Sequence, residues 1–369
     1  SNTMNIYYDI GKPSRVHSGL QRVNSQVWRA LEEAGYPIKP VFWDSKKGWH
    51  THANRHTAPA SMEASDVYFT SHVFSGNERP GFGQWLRETP VTTVALYHDA
   101  IPLKFPDISW AHSVRRHPAY MRLLSSFDKV AAVSRKSRDE LMGYWNWLEV
   151  PGLLPDVVAV TSGADALHPY QRPESRCFDS MADERPVLVH CGIIEPRKNQ
   201  SVMLDAAETL WQQGYAFDLH FVGRVNPEFG KSTMQRIKKL GKKGWPVFHH
   251  PKATDRELKS LLERAHLLLQ PSLSEGNGLP VLEALWMGVP VLASAAVPAA
   301  TEWAEKKGCL LIDPPDKHHL VEALSRLFDN RAEWAALAEE ARRAELPTWK
   351  LAAAELARLF QAKQSNRNV

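Results

Sequence analysis

A chain of 369 residues, 43% hydrophobic and 23% charged, has the composition of a soluble globular polypeptide and exceeds one ordinary core, so two domains are expected. Its net charge of +4 is too mild to argue for nucleic acid and gives only weak attraction for anionic ligands or an anionic membrane face. Cys177, Cys191 and Cys309 form no CxxC pair, which supports neither a disulfide framework nor a structural zinc site and suits a reducing cytoplasm. Ser1-Asn2-Thr3 ahead of Met4 reads as a tag remnant and not as a signal peptide, since no apolar run follows it. The longest apolar run, Gly288 to Ala300, holds prolines and falls short of the ~18 to 20 residues that span a bilayer.

Along the first half, β-rich runs at Asn5–Asp9, Ile38–Trp43, Val67–Thr70, Val91–Tyr97, Lys129–Val133 and Val157–Thr161 alternate with helical stretches. The clearest helix, Leu20 to Ala34, carries Leu20, Val23, Val27, Ala30 and Leu31 on one stripe and ends at Gly35. The turn before it, Asp9 to Gly19, has glycines but no GxGxxG, so a dinucleotide fingerprint is not supported; Gly19 still lets a phosphate meet the helix end. His98 follows the strand Val91–Tyr97 at its carboxyl end, a place that suits a structural or a catalytic histidine. Trp110, His112, Arg115, Arg116 and Arg122 make an aromatic and basic stretch that fits an anionic acceptor or lipid, or a solvated helix face.

Gly163 to Arg185 has few apolar residues and reads as a linker, with the domain boundary near residue 170. Beyond it the plan repeats, with strands at Val187–Cys191, Asp218–Val222, Val247–His249, His266–Gln270, Val289–Ala293 and Cys309–Ile312. Helices are expected near 201–213, 231–240, 255–264, 280–287 and 317–328. This alternation predicts an α/β protein with a parallel sheet in each half, and such sheets bind ligands outside the carboxyl ends of their strands.

Two turns at such ends carry candidate chemistry. Gly192-Ile-Ile-Glu-Pro-Arg197-Lys198-Asn199 sets two cations just before a helix N-terminus, which favours a phosphate or diphosphate, although a solvated basic turn has the same composition. Glu275-Gly-Asn-Gly-Leu-Pro-Val-Leu-Glu283 sets two carboxylates eight positions apart. Glu275, beside glycines that let backbone approach a ligand, suits sugar hydroxyls or developing positive charge. Glu283, expected in the first turn of the next helix, suits ribose hydroxyls or plain compensation of the helix dipole, worth ~0.3 to 1 kcal/mol. No DxD, HExxH, GxSxG or P-loop occurs, so no metal or cofactor is expected and cations acting on a phosphate must come from side chains.

Taken in order, these segments resemble the retaining GT-B glycosyltransferases of family 4, group 1, over nearly the whole chain. Ser18-Gly-Leu-Gln-Arg-Val resembles the family's glycine turn and helix, and His98-Asp-Ala-Ile-Pro-Leu its HDxxPL segment. Phe127-Asp-Lys-Val-Ala-Ala-Val-Ser resembles its D-x-hydrophobic-x-x-V-S strand, Ser162-Gly-Ala-Asp165 its N-G-V-D, and Glu275 to Glu283 its E-x7-E signature. Pro347-Thr-Trp-Lys-Leu-Ala-Ala-Ala is similar to the closing helix that returns to the first domain.

The resemblance implies two Rossmann-like parallel-sheet domains facing across a cleft. Residues 4–170, completed by a helix at 348–366, would bind the acceptor, and residues 171–347 the nucleotide-sugar donor. It implies that Arg197 and Lys198 hold the donor diphosphate and that Glu283 takes the ribose hydroxyls. Glu275, with the backbone of Asn277, Gly278 and Leu279, would face the donor sugar, His98 would lie beside the transferred sugar, and Gly19 would meet the distal phosphate. Ile193 stands where many members carry arginine, with Arg224 as the candidate replacement, and Asn277 stands in place of the usual phenylalanine.

The Glu-Pro-Arg-Lys-Asn form of the turn is similar to that of bacterial mannosyltransferases of surface-polysaccharide assembly. That implies a GDP-mannose-type donor first and a UDP-sugar second, no metal, a glycan or lipid-linked acceptor, peripheral contact with the inner membrane face, and no nucleic acid. A non-catalytic sugar-nucleotide scaffold or a GT-B epimerase would share the architecture. Both glutamates and both cations are present, which favours the transferase.

Overall fold

The computed structural model describes residues 4–12, 19–53, 56–174, 184–303 and 307–361. Ser18, Cys177 and residues 362–366 of the expected closing helix lie outside the described residues. The chain forms two compact units, Ser1–Ser162 with Pro347–Val369, and Gly163–Leu346.

The first unit runs β1 (Ile6–Asp9), α1 (Gly19–Glu33), β2 (Ile38–Asp44), β3 (Gly48–Ala53), β4 (His56–Pro59) and β5 (Val67–Thr70). It continues through α2 (Phe82–Glu88), β6 (Thr92–Tyr97), α3 (Ile101–Lys104), α4 (Ala111–Leu124), β7 (Lys129–Ala132), α5 (Arg135–Leu148) and β8 (Val157–Ala159). Its sheet has the order β4-β3-β2-β1-β5-β6-β7-β8. From β2 to β8 every pairing is parallel, as strand–helix alternation predicts. The other edge departs from the wholly parallel expectation, since β3 pairs antiparallel with β2 and with β4. The local cause is the Asp44–Gly48 turn, where the Asp44 carboxylate accepts the Lys46 and Lys47 N–H groups at 2.8 and 2.9 Å and Gly48 takes φ 78°. The reversal brings Trp49 against Tyr68 and Trp85, ring centroids 4.8 and 5.3 Å away, and buries it.

In the second unit the elements are β9 (Val187–Cys191), α6 (Gln200–Gln212), β10 (Asp218–Val222), α7 (Lys231–Lys242), β11 (Val247–His250), α8 (Asp255–Arg264) and β12 (Leu267–Gln270). There follow α9 (Leu279–Trp286), β13 (Val291–Ser294), β14 (Cys309–Ile312), α10 (Lys317–Asp329) and α11 (Arg331–Arg343). The sheet is parallel throughout in the order β11-β10-β9-β12-β13-β14. Its strands are buried on both faces: Val189, Leu268 and Val291 join an apolar cluster with α9, while Leu188, Leu267 and Leu292 join another with α6 and α10. Continuous aliphatic runs such as Leu267-Leu-Leu are what covered parallel sheets require.

The units divide between Ser162 and Gly163, ahead of the position near residue 170 that composition suggests. Residues 163–174 also do not behave as a linker. Ala164 and Leu167 are buried in the second unit's core, and the Trp286 indole N–H donates to the His168 carbonyl at 3.0 Å. The segment is held mainly by bonds to main chain, which leave no apolar periodicity to read. After α11 the chain rejoins the first unit as α12 (Trp349–Ala357), which packs on α1, and Glu355 accepts the Thr161 N–H and hydroxyl at 2.9 and 3.1 Å.

Candidate active site

In the second sheet β9 lies between β10 and β12, where the winding of the chain reverses. Loops leaving two such strands diverge and open a crevice at their carboxyl ends. Both candidate turns are these loops, one after β9 and one after β12.

Backbone bonds lock them together. Asn199, at φ 68° before α6, donates its side-chain amide to the Pro271 and Pro315 carbonyls at 2.9 and 2.8 Å, and the Leu273 N–H donates to the Arg197 carbonyl at 2.9 Å. Lys198 Nζ then lies 2.6 Å from Glu275 Oε1, and Arg197 3.1 Å from Glu275 Oε2. Arg197 also meets Glu195 at 3.1 Å and donates to the Ser274 carbonyl at 2.9 Å. The Ser272 hydroxyl donates to Glu275 at 2.8 Å, and the Asn226 amide to Glu195 at 3.0 Å. Gly192 makes room for this, because a Cβ there would approach the Lys198 stem at 3.2 Å and the His190 ring at 3.3 Å.

Burial pushes the Glu275 carboxyl up, but Lys198, then Arg197, and hydrogen bonds from Lys198 and Ser272 outweigh it and hold the group at about 2. Burial pulls Lys198 down and Glu275 opposes it. With an ionised carboxylate at 2.6 Å, the ammonium is the form this contact requires. His190 is pushed to about 4 by burial, against a hydrogen bond to the Leu269 carbonyl and with Lys198 adding to the fall. Neutral at pH 7, it donates from Nδ1 to Leu269 at 2.8 Å and accepts the Gln200 amide at Nε2, 3.2 Å away.

Glu283 is buried in α9 as its fifth residue, just past the first turn in which it was expected, since the helix begins at Leu279 and has no acid in that turn. Compensation of the dipole, which fades beyond that turn, therefore does not account for it. Gly278 is the N-cap at φ 97°, and a Cβ there would lie 2.4 Å from Val297, so the loop admits only glycine. Asn277 is buried; its carbonyl accepts the Ala299 N–H at 2.6 Å, while its Oδ1 has no hydrogen-bond partner among the described residues.

The structure thus joins Arg197, Lys198 and Glu275, with Asn277, Gly278, Leu279 and Glu283 following on the same loop and helix. Arg224 comes beside the turn through its backbone, its carbonyl accepting the Ile194 N–H at 2.8 Å, but its side chain is exposed and pairs with no acid among the described residues. His98 and Gly19 belong to the first unit. His98 is buried; its Nε2 lies 3.2 Å from the Ser71 carbonyl, and its own carbonyl accepts the Ser137 hydroxyl at 2.6 Å. Burial, opposed by Asp99, sets it below the ordinary histidine range. Gly19 opens α1. In the basic stretch of α4, His112 and Arg116 face Glu78 at 3.5 and 3.6 Å. Sequence reasoning assigned no role to Glu195, Ser272 or Asn226. An acid two positions before Arg197 was the available signal for the first, and nothing local marks the others.

Residues 171–344 match the profile of the family Glycosyl transferases group 1. The second unit belongs to the group 1 glycosyl transferases. The chain is 24% identical to the serotype-specific mannosyltransferase WbdA of Escherichia coli over 352 residues, 88% of this chain and 41% of that protein. It is 33% identical over 194 residues to the MMP alpha-(1->4)-mannosyltransferase of Mycolicibacterium hassiacum, 48% of this chain and 47% of that protein. The chain spans about two fifths of the length of the first curated relatives it matches. Sucrose-phosphate synthase from Thermosynechococcus elongatus superposes with a TM-score of 0.70 over 97% of this chain and 98% of its own, at 18% identity. That likeness gives the chain the GT-B fold, with two Rossmann-like α/β units.

Proposed function

We propose that the chain is a metal-independent hexosyltransferase. It moves mannose or a related sugar from a nucleoside diphosphate to a glycan or lipid-linked acceptor, with retention of configuration, in bacterial surface-polysaccharide assembly. GDP-sugars are the first donor choice and UDP-sugars the second. Mannosyltransferases among the similar proteins support the sugar. One observation carries the reading: two cations, Lys198 and Arg197, converge on a single carboxylate at the carboxyl ends of two neighbouring parallel strands.

A diphosphate that binds these cations competes with Glu275 for them, and the exchange turns the Glu275 carboxylate toward sugar hydroxyls. As the bond from the sugar to the diphosphate breaks, negative charge grows on the leaving group, and Lys198 and Arg197 stabilise it. Front-face substitution, with a donor phosphate oxygen taking the acceptor proton, asks for no further group. A covalent route would require Glu275 to leave both cations.

Glu283 takes the ribose hydroxyls, Gly278 and Leu279 present backbone N–H groups, and Arg224 supplies the phosphate contact that Ile193 does not. Asn277 Oδ1, a buried acceptor without a donor among the described residues, suits a sugar hydroxyl. The second unit takes the donor and the first the acceptor. The roles of His98 beside the sugar and Gly19 at the distal phosphate rest on the family resemblance. The setting is the cytoplasmic side of the membrane, with α4 and its half-exposed Trp110 as a peripheral contact; no helix among the described residues is long and apolar enough to cross.

Incubation with GDP-mannose, UDP-glucose and ADP-glucose, with and without EDTA, tests the reading. Free GDP should appear fastest and be insensitive to chelation. Nucleotide binding without release from any donor, acceptor extract included, would favour the non-catalytic scaffold.

A further inference from the structure

Arg172 lies between the unit boundary and β9, inside the segment that composition assigns to a linker. Its guanidinium uses all five of the N–H donors such a group has, and every acceptor is a main-chain carbonyl. Nε donates to Trp286 at 3.2 Å, Nη2 to Leu285 at 2.6 Å and Ala341 at 2.7 Å, and Nη1 to Arg342 at 2.7 Å and Ala344 at 2.9 Å. The first two acceptors end α9, and the other three end α11. Burial lowers Arg172 from the ordinary arginine value, with no carboxylate opposing among the described residues.

The last carbonyls of a helix lack intrahelical partners and form the negative end of its dipole, so a cation there is stabilised. A cation alone does not require a planar fork, however. Five directed bonds to two helix ends fix the distance and angle between those ends, which a lysine with one mobile ammonium would not do. The strap is doubled by the Trp286 indole, bonded to His168, with the guanidinium 5.8 Å from its ring centroid. Nor does α11 follow freely: a Cβ at Gly308 would lie 2.7 Å from Ala341, so that end is packed against the sheet connection.

What α9 carries makes this matter. It is about 12 Å long and buried from Val281 to Trp286, so it shifts as one rod. At its other end stand Gly278 and Leu279, with Glu283 one turn in.

We infer that Arg172 is a positioning residue for the donor site. By clamping the C-terminal ends of α9 and α11 it sets the register of α9, and with it Gly278, Leu279 and Glu283, against Lys198 and Arg197. The inference rests on the donor-site reading above.

Arg172→Lys and Arg172→Ala, compared with Arg331→Ala, test it. Arg331 is a suitable control, since its Nε donates to the Phe328 carbonyl at the end of α10, which carries no site residue. Three quantities are measured: amide hydrogen exchange across residues 281–286, calorimetric affinity for GDP and for UDP, and the melting temperature. The expected result is a folded Arg172→Lys whose α9 amides exchange about tenfold faster and whose nucleotide affinity falls about tenfold, while Arg331→Ala loses stability without either change. Unchanged α9 exchange in Arg172→Lys, or an affinity loss no larger than in Arg331→Ala, overturns the inference. Should the wild type bind neither nucleotide, the donor-site reading fails, and the exchange measurement still decides the clamp. Arg172→Lys carries the test if Arg172→Ala does not fold.

Discussion

Asp9 at the end of β1 and Glu275 in the loop after β12 are both buried beside arginine, yet their partners make them different things. Each Asp9 oxygen takes two donors: Oδ2 the Arg79 guanidinium and the Tyr68 hydroxyl, both at 2.6 Å, and Oδ1 Arg79 at 3.2 Å and the Gly11 N–H at 2.8 Å. The Arg79 guanidinium lies 3.6 Å above the Phe74 ring. The acid is saturated, and a single cation is held on it in a fork. Glu275 is shared by two cations, and Lys198, with three donors, is bonded only to it among the described residues. Burial of charge alone therefore does not mark a binding site; a carboxylate shared between cations that can exchange it does.

Breaking the closed cluster should have the largest effect. Arg79→Met leaves Asp9 buried without its cation and should cost about 3 to 5 kcal/mol in urea unfolding, while the folded protein keeps its nucleotide affinity. An equal loss of affinity would erase the distinction between the two clusters. Next comes Lys198→Met, which should lower the transfer rate ~10²- to 10³-fold with a smaller change in melting temperature than Arg79→Met.

Acid should separate the groups by pH. Asp9 is raised by burial and then held down by Arg79, His72 and its hydrogen bonds to about 2, and Glu275 is also held at about 2. Both stabilise the fold fully above their ordinary values of 3.8 and 4.5, and lose that contribution as pH falls toward 2. His190, buried and neutral with its value lowered from 6.5 to about 4, stabilises above 6.5 and loses its contribution as pH falls toward 4. Urea midpoints from pH 7 to 2 should therefore drop in two stages, each group worth roughly 2 to 3.5 kcal/mol. Glu275→Gln should remove part of the lower stage alone.

The smallest effect expected is that of Glu283→Ala, about a tenfold weaker affinity for the donor nucleotide, read by calorimetry. Equal affinities in Glu283→Ala and Glu275→Ala would dissolve the division of labour between the two acids.

The legible parts of the molecule were those written in periodicity and glycine. Aliphatic runs such as Leu267-Leu-Leu announced buried parallel strands, and Gly276 and Gly278 announced a loop meeting a helix. The Gly48–Ala53 strand was illegible because Gly-Trp-His-Thr-His-Ala lacks an aliphatic core face, and its pairing depends on the Asp44 turn. Glu283 falls one residue past the first turn because the start of α9 at Leu279 is set by capping geometry at Gly278 and not by Pro280 alone. The Arg172 bonds could not be read at all, since carbonyls at two helix ends leave no residue-specific mark in the sequence.

The most direct test of the exchange is the affinity of Glu275→Gln for GDP and UDP by calorimetry. The variant removes the charge that Lys198 and Arg197 share but keeps an acceptor for Ser272. If a diphosphate and Glu275 compete for the same two cations, it will bind nucleoside diphosphate about tenfold more tightly than the wild type, although it is less stable and transfers no sugar. Affinity unchanged or weakened in the folded variant would contradict the competition.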